Sequence, residues 1–304
     1  MLSMKYNIYK CFLFAVMTML SVNAFTQADS LSGKQIEGND SETQKDSPHS
    51  VYASLGFGNN MVVASTLTTA QPYYYGSLIY GLNNKFFISA NTFHMPVFEP
   101  FIAYSAFGVN YSNTLSSWFD ISAGAYRYQV PEALTDTLFN SFFYSDLTLG
   151  VDWRILYSRI SFGGILSETS TGYLQVKNSR YFQTPEFSGK KAFISFDPYI
   201  NMLMGSLTKT VINGETVIGI NSPISGNGSG SGNGSGSGSG STSTTLTTNY
   251  FGLMEIDFGL PVGLNIGNLT LEIEPGYVLP MYTDPEIPSP EGFTLMLNCF
   301  IKIF

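Results

Sequence analysis

The sequence predicts an all-β fold, a transmembrane up-and-down antiparallel β-barrel of about 12 strands, with 10 or 14 strands as the alternatives. Three observations indicate this fold. Apolar and polar residues alternate over long segments, which places them on opposite faces of a sheet. Only 12% of the residues are charged, about half the ~25% of soluble proteins. Beyond the amino terminus no apolar run reaches the ~18 residues of a membrane-spanning helix.

The alternation is clearest in the last 55 residues, Tyr250 to Phe304. Gly267-Asn268 is predicted to form a two-residue type II′ hairpin loop, which sets Ile266 opposite Leu269. Each arm runs about 12 residues, close to the ~9–11 that a tilted membrane strand needs. One face carries Phe258, Leu260, Val262, Leu264, Ile266, Leu269, Leu271 and Ile273, and the other carries Glu255, Asp257, Glu272 and Glu274 among glycines.

The chain divides into three predicted parts. Residues 1–24 have the form of a signal peptide, with basic Lys5 and Lys10, a short apolar core and a cleavage site after Ala24. Residues 25–49 are polar and without periodicity, which predicts a disordered periplasmic tail. Residues 50–304 form the barrel, within which the Gly/Ser-rich run Gly226–Ser241 predicts a long extracellular loop at about 206–247.

Strands and breaks alternate from Val51 onward. The first nine predicted strands are 51–59, 73–82, 86–93, 101–111, 118–129, 141–153, 157–167, 173–182 and 192–205, and the carboxyl-terminal segment supplies three more. Connections after the second, fourth, sixth and tenth strands are short. Short periplasmic turns opposite longer extracellular loops are typical of outer-membrane barrels, and an even strand number places both chain ends on the periplasmic side. A proline inside the ninth strand and another inside the eleventh predict bulges or bends.

The pattern from Val51 to Phe304 resembles the outer-membrane β-barrel proteins of Gram-negative bacteria. The segment YFGLMEIDFGLPVGLNIGNLTLEIEPGYVLP is similar to the closing segment of uncharacterised barrels common in Bacteroidota. The resemblance implies residence in the outer membrane among its lipids and insertion by the barrel-assembly machinery. It implies no activity.

The candidate site residues are the acidic cluster Glu255, Asp257, Glu272 and Glu274. A hard cation could bind these carboxylates through oxygen, or they could line a hydrated lumen with Lys302 and Arg127 as counter-charges. Glycines 56, 58, 124 and 259 are expected to leave room in that lumen, whereas Phe251, Tyr126, Phe300 and Met296 would fill it. The sequence predicts no metal site and no cofactor, and a net charge of −8 without basic patches argues against nucleic acid as a partner.

The predicted function is a narrow pore or transport protein for small solutes or cations, with a structural role in the envelope as the alternative. The sequence predicts a protein that is not an enzyme, and an outer-membrane hydrolase is a minor alternative. The chain has two histidines. His49 lies in the predicted tail, and His94 directly follows the third predicted strand, where the expected pairing puts it beside Phe101. Ser105 would then lie roughly 13 Å away at ~3.3 Å per residue, which exceeds the hydrogen-bond reach of a general base.

Overall fold

The computed structural model describes residues 47–63, 66–68, 71–135, 138, 140–166, 171–187, 192–212, 215–220, 246–282 and 291–304. The predicted signal peptide, residues 25–46 of the predicted tail and the Gly/Ser run lie outside these residues. Among the residues described, none belongs to a helix long and apolar enough to span a membrane.

Twelve antiparallel strands close into a barrel, which confirms the predicted fold class. The strands are β1 (His49–Gly58), β2 (Tyr73–Leu82), β3 (Phe86–His94), β4 (Tyr104–Ser116), β5 (Phe119–Gln129), β6 (Phe142–Asp152), β7 (Tyr157–Leu166), β8 (Thr171–Ser179), β9 (Tyr199–Ile212), β10 (Leu246–Gly259), β11 (Leu269–Pro280) and β12 (Gly292–Lys302). Each pairs with the next along the chain, and β12 pairs with β1 from Tyr52↔Lys302 to Gly58↔Met296. This last pairing closes the barrel and brings the two ends of the described chain to the same side.

The connections differ in length at the two ends of the barrel. The turns from β2 to β3, β4 to β5 and β6 to β7 are tight, and we call this side the short-turn end. Asn83 and Asn84 have φ values of 55° and 52°, as a type I′ hairpin turn requires. Longer connections from β1 to β2, β3 to β4 and β5 to β6 define the long-loop end. The last of these contains a 3₁₀ turn at Glu132–Leu134.

Part of the predicted long loop is strand. β9 continues to Ile212 and pairs with a further strand, Glu215–Ile220, before the chain returns in β10. A small hairpin of Met61–Val63 and Thr66–Thr68 follows β1 at the same end of the barrel. Regular backbone pairing therefore extends past the twelve barrel strands at the long-loop end.

Three prolines mark where neighbouring strands change partners. Pro198 separates the short strand Ala192–Phe196 from β9, and Pro261 separates β10 from the short strand Val262–Ile266. β11 pairs first with the short strand Val262–Ile266, and this pairing ends at Ile273↔Val262. It then pairs with β10, beginning at Gly276↔Gly259. Its change of partner therefore lies at Pro275. A proline cannot donate a ladder hydrogen bond. The prolines mark changes of partner, whereas β11 runs through Pro275 without a shift in its register to β12, so the predicted bulge or bend stays a prediction. The short strands extend the sheet beyond the barrel at the short-turn end.

A β-bulge at Met254 changes the alternation of β10. Leu203 pairs with Glu255, but the next residue of β9, Met204, pairs with Leu253. Met254 and Glu255 are consequently both buried, at 1% and 2% exposure. A bulge adds one residue to one strand of a pair, so the residues before it change face. Phe251 is 56% exposed on the outer surface, and the expectation that it fills the lumen was wrong for this reason.

Candidate functional site in the barrel lumen

The structure places all four residues of the acidic cluster on the interior face. Glu255 and Asp257 lie on β10, and Glu272 and Glu274 on β11. Glu255 and Glu274 are only 2% and 5% exposed, whereas their outward neighbours Leu271 and Ile273 are 43% and 45% exposed. The two faces of the carboxyl-terminal hairpin are therefore arranged as the sequence predicts.

Three of these carboxylates accept a hydrogen bond from an inward side chain of another strand. The bonds run from Asn201 Nδ2 to Asp257 Oδ2 at 2.6 Å, from Tyr199 Oη to Glu274 Oε1 at 2.7 Å, and from Asn298 Nδ2 to Glu272 Oε1 at 3.0 Å. Glu255 follows the bulge and lies close enough to Asp257 for their carboxyl groups to interact. The cluster is thus held in place by amide and phenol groups that the sequence-based prediction did not include.

Two cations in the lumen were also missed by the sequence analysis. The Lys177 ammonium lies 3.8 Å from the centroid of the Tyr199 ring and interacts electrostatically with Glu274. Arg159, on the neighbouring strand, interacts with Asp197. Both follow the alternation of their strands, so extending the face assignment to β7 and β8 could have found them.

The cations that the sequence analysis expected in the lumen lie elsewhere. Arg127 faces outward, with its guanidinium carbon 4.4 Å from the centroid of the Phe143 ring. Tyr126 and Tyr128 on either side of it face inward, so the strand alternation directs Arg127 to the outer surface. Lys302 is exposed at the end of β12. The expectation that these two residues balance the acidic cluster was therefore wrong.

Inward tyrosines cover glycines, which lie on the adjacent strand in five of the six pairs below and on the same strand for Tyr126 over Gly124. A Cβ placed on any of these glycines would overlap a phenol ring: the pairs are Tyr75 over Gly56, Tyr73 over Gly58, Tyr126 over Gly124, Tyr157 over Gly150, Tyr144 over Gly163 and Tyr199 over Gly259. Glycines 56, 58, 124 and 259 were expected to leave open space in the lumen. That expectation was wrong, because a tyrosine ring covers each of these four positions. The rings line the barrel wall, and their hydroxyls can reach the strand beyond.

Three tyrosine hydroxyls make that reach across one intervening strand. They donate from Tyr75 to Asn298 Oδ1 at 2.5 Å, from Tyr157 to Asp120 Oδ2 at 2.8 Å, and from Tyr199 to Glu274 Oε1 at 2.7 Å. Each of these bonds passes over the glycine beneath the ring. The same small-residue positions therefore set both the flat packing of the rings and the polar contacts between non-adjacent strands.

An apolar plug occupies the interior at the long-loop end. It is a continuous cluster of buried side chains, Tyr73, Tyr75, Phe93, Met95, Ala103, Tyr104, Ala106, Val130, Leu134, Phe142 and Ile165, with Phe98, Tyr128, Leu138, Tyr144 and Tyr173 packed against it. Met95 and Phe98 come from the connection after β3, and Leu134 and Leu138 from the connection after β5. Side chains from two long connections thus fold onto the aromatic upper wall of the barrel.

His94, the histidine weighed for a hydrolase, faces outward at the end of β3. Its Nδ1 lies 2.7 Å from the Phe101 carbonyl oxygen, and its ring stacks on Phe101 at 4.6 Å between centroids. Ser105 pairs with Thr92, two residues earlier on β3. The predicted position of His94 beside Phe101 is confirmed, and its ring contacts are aromatic and main-chain.

No protein-family model matches the chain, and no curated protein matches it in sequence. Solved structures similar to it include LpxR from Salmonella typhimurium, with a TM-score of 0.43 and 6% identity over 83% of this chain and 99% of that one. CdiB from Acinetobacter baumannii has a TM-score of 0.31 and 9% identity over 84% of this chain and 60% of that one. OmpT, an outer membrane protein of Vibrio cholerae, has a TM-score of 0.26 and 11% identity over 86% of this chain and 100% of that one.

These neighbours are Gram-negative outer-membrane β-barrels. At such low identities and TM-scores they assign no residue a role. One sequence-based prediction is nevertheless corrected by the comparison. LpxR is an outer-membrane enzyme, so the sequence-based expectation of a protein that is not an enzyme, which rested on the distance between His94 and Ser105, was wrong.

Proposed function

We propose that this chain is an outer-membrane barrel that forms a narrow pore for small cations, with the apolar plug closing its extracellular mouth. The observation that carries the proposal is the excess of inward acidic side chains over inward basic ones. Among the described residues, the acids of the lumen are Asp120, Asp146, Asp197, Glu255, Asp257, Glu272 and Glu274, and the bases that interact with them there are Arg159 and Lys177.

An acid-rich passage attracts cations and repels anions, because low-dielectric walls focus the field of the side chains into the lumen. A 12-stranded barrel is narrower than the ~16–18-stranded porins that leave an open aqueous channel. The flat tyrosine rings keep their bulk against the wall. Passage in such a barrel is therefore suited to small ions rather than to larger solutes.

The plug supports a gated pore. Leu134 is 6% exposed and Leu138 packs against the same cluster, yet both belong to a surface connection that could move without unpairing any barrel strand. Long loops of outer-membrane barrels are extracellular, which would place this gate on the outside of the cell. Displacing the two leucines would open a path to the acidic lumen below.

Single-channel recording in planar bilayers tests this function. The full chain after signal removal should conduct rarely, and the double variant Leu134→Gly, Leu138→Gly should be open for a larger fraction of the time. Val97→Gly is the matched control, because Val97 lies on the neighbouring connection but is 62% exposed. A gradient of KCl should give a reversal potential that shows cation preference. Anion preference in the open variant would contradict the proposal.

A structural role in the envelope is the second candidate, and the plug is the observation that favours it. Aromatic packing that fills the lumen stabilises a barrel whether or not ions pass. If neither the parent chain nor the double variant conducts, while both shift on a heat-modifiability gel as folded barrels do, the structural role is supported and the pore is refuted.

A further inference from the structure

Three buried oxygen atoms on β9 and β10 accept no hydrogen bond from any residue that the structure describes. They are Glu255 Oε2, Asp257 Oδ1 and Asn201 Oδ1. Glu255 is 2% exposed and Asn201 5% exposed. Buried polar atoms nearly always have a partner, because an unpaired one loses the hydrogen bonds it would make in water. Three such atoms on adjoining side chains indicate that something else satisfies them.

The three side chains are brought together by strand pairing. Asn201 and Asp257 are directly opposite each other across β9 and β10, and the Asn201 amide donates from Nδ2 to Asp257 Oδ2 at 2.6 Å. That bond holds the Asn201 amide group against the Asp257 carboxylate. The bulge at Met254 keeps Glu255 on the interior face, where its carboxyl group interacts with that of Asp257.

The chemistry of these atoms is that of a hard-cation site. Two carboxylates and one amide carbonyl are oxygen ligands of the kind that Ca²⁺ takes at 2.3–2.6 Å. Two negative charges match one divalent cation. Within the described residues no three His, Cys, Asp or Glu side chains form a metal-binding group, so the side-chain ligands of this site are two carboxylates and one amide oxygen. Water and main-chain carbonyls would complete a calcium shell.

The nearby cation does not take the place of such an ion. Lys177 interacts with Asp257, but its stronger electrostatic partner is Glu274, and its ammonium lies over the Tyr199 ring at 3.8 Å. Its charge is therefore directed to the β11 side of the cluster. Glu255 faces Asp257, a group of the same charge whose carboxyl oxygen lies within hydrogen-bond reach of its own.

We propose that Asn201, Glu255 and Asp257 bind a hard divalent cation of the calcium type in the lumen. The proposal deepens the proposed function, on whose acidic passage it rests, by naming a resident or permeant ion and the three side chains that hold it. The site would also neutralise two like charges on one strand, which otherwise repel each other in the barrel wall.

Calcium titration by isothermal calorimetry tests the site, with the full chain after signal removal refolded in detergent micelles and calcium chloride as the only added ion. The parent protein should bind one Ca²⁺ with a Kd of about 0.1–1 mM, the range of extracellular calcium-binding modules. Asp257→Asn and Glu255→Gln should each weaken binding by about tenfold or more, because affinity follows ligand charge. Asn201→Ala should weaken it less.

The matched control is Asp152→Asn, which removes the same charge near the short-turn end, where Asp152 pairs with Arg180 at 3.6 Å. It should bind calcium as the parent does. A heat-modifiability gel confirms folding of each variant before titration. No binding by the parent, or binding by Glu255→Gln and Asp257→Asn as tight as that of the parent, would overturn the site. Calcium binding without conductance would retain the site and refute the pore. Conductance without calcium binding would refute the site and retain the pore.

Discussion

The hydroxyl of Tyr199 on β9 donates a 2.7 Å hydrogen bond to Glu274 on β11, crossing β10 at Gly259. A side chain at Gly259 would overlap the phenol ring. The same ring receives the Lys177 ammonium on its face. One glycine thus permits a contact that connects three strands and orients a carboxylate in the lumen.

Removing this contact should destabilise the barrel. Tyr199→Phe should lower the free energy of unfolding by about 1.5–3 kcal/mol, the usual value for a hydrogen bond to a charged group. Gly259→Leu should cost more, because the new side chain displaces the ring as well. Tyr111→Phe, on the outward face of β4, is the control. Equilibrium unfolding in guanidinium chloride measures the difference, and equal stability of Tyr199→Phe and the parent would count against the bond.

Substitutions on the two faces of β11 should have opposite effects on membrane assembly. Glu272→Gln and Glu274→Gln keep polar groups in the lumen and should leave insertion intact. Leu271→Arg and Ile273→Arg should impair it, since a basic residue on the lipid face costs about 2–4 kcal/mol at the bilayer midplane. The folded fraction after refolding into lipid vesicles, read on a heat-modifiability gel, is the measurement. Tolerated arginines with damaging glutamines would mean that the faces are reversed.

Neutralising the luminal lysine should strengthen cation preference. Lys177→Met removes a positive charge that interacts with Glu274, Asp257 and Asp197, so the lumen becomes more negative. Lys302→Met is the matched control at the exposed end of β12. Reversal potentials of the open plug variant in a KCl gradient should move further toward the potassium equilibrium potential for Lys177→Met than for Lys302→Met. A shift toward chloride would contradict the charge assignment.

The orientation in the membrane can be tested in intact cells. The long-loop end should face outward, and an epitope inserted at Gly234, in the chain between Ile220 and β10, should bind antibody without permeabilisation. The protein should fractionate with the outer membrane and run as a heat-modifiable band. An epitope inserted between Asn83 and Asn84, in the tight turn at the opposite end, should be reached only after permeabilisation. The reverse labelling pattern would mean that the topology is inverted.

The sequence by itself determined most of the strands, the faces of the carboxyl-terminal hairpin beyond the bulge, and the pairing of that hairpin. Phe258 pairs with Tyr277 in the register that the loop Gly267-Asn268 predicts, and Glu272 faces inward where alternation places it. These features depend on residues one or two positions apart and on a turn of two residues. Local periodicity is enough to specify them, because a shift of one residue would move every apolar side chain to the wrong face.

Only the tertiary structure decided what fills the lumen. The bulge at Met254 reverses the face of Phe251, and the rings of Tyr75 and Tyr199 cover glycines that the sequence analysis expected to leave open space. The approach of Asn201 to Asp257 likewise depends on how β9 pairs with β10. Such contacts join residues far apart in sequence, and their geometry depends on the closure and register of the whole barrel. No local pattern specifies that register, because it arises from the packing of all twelve strands together.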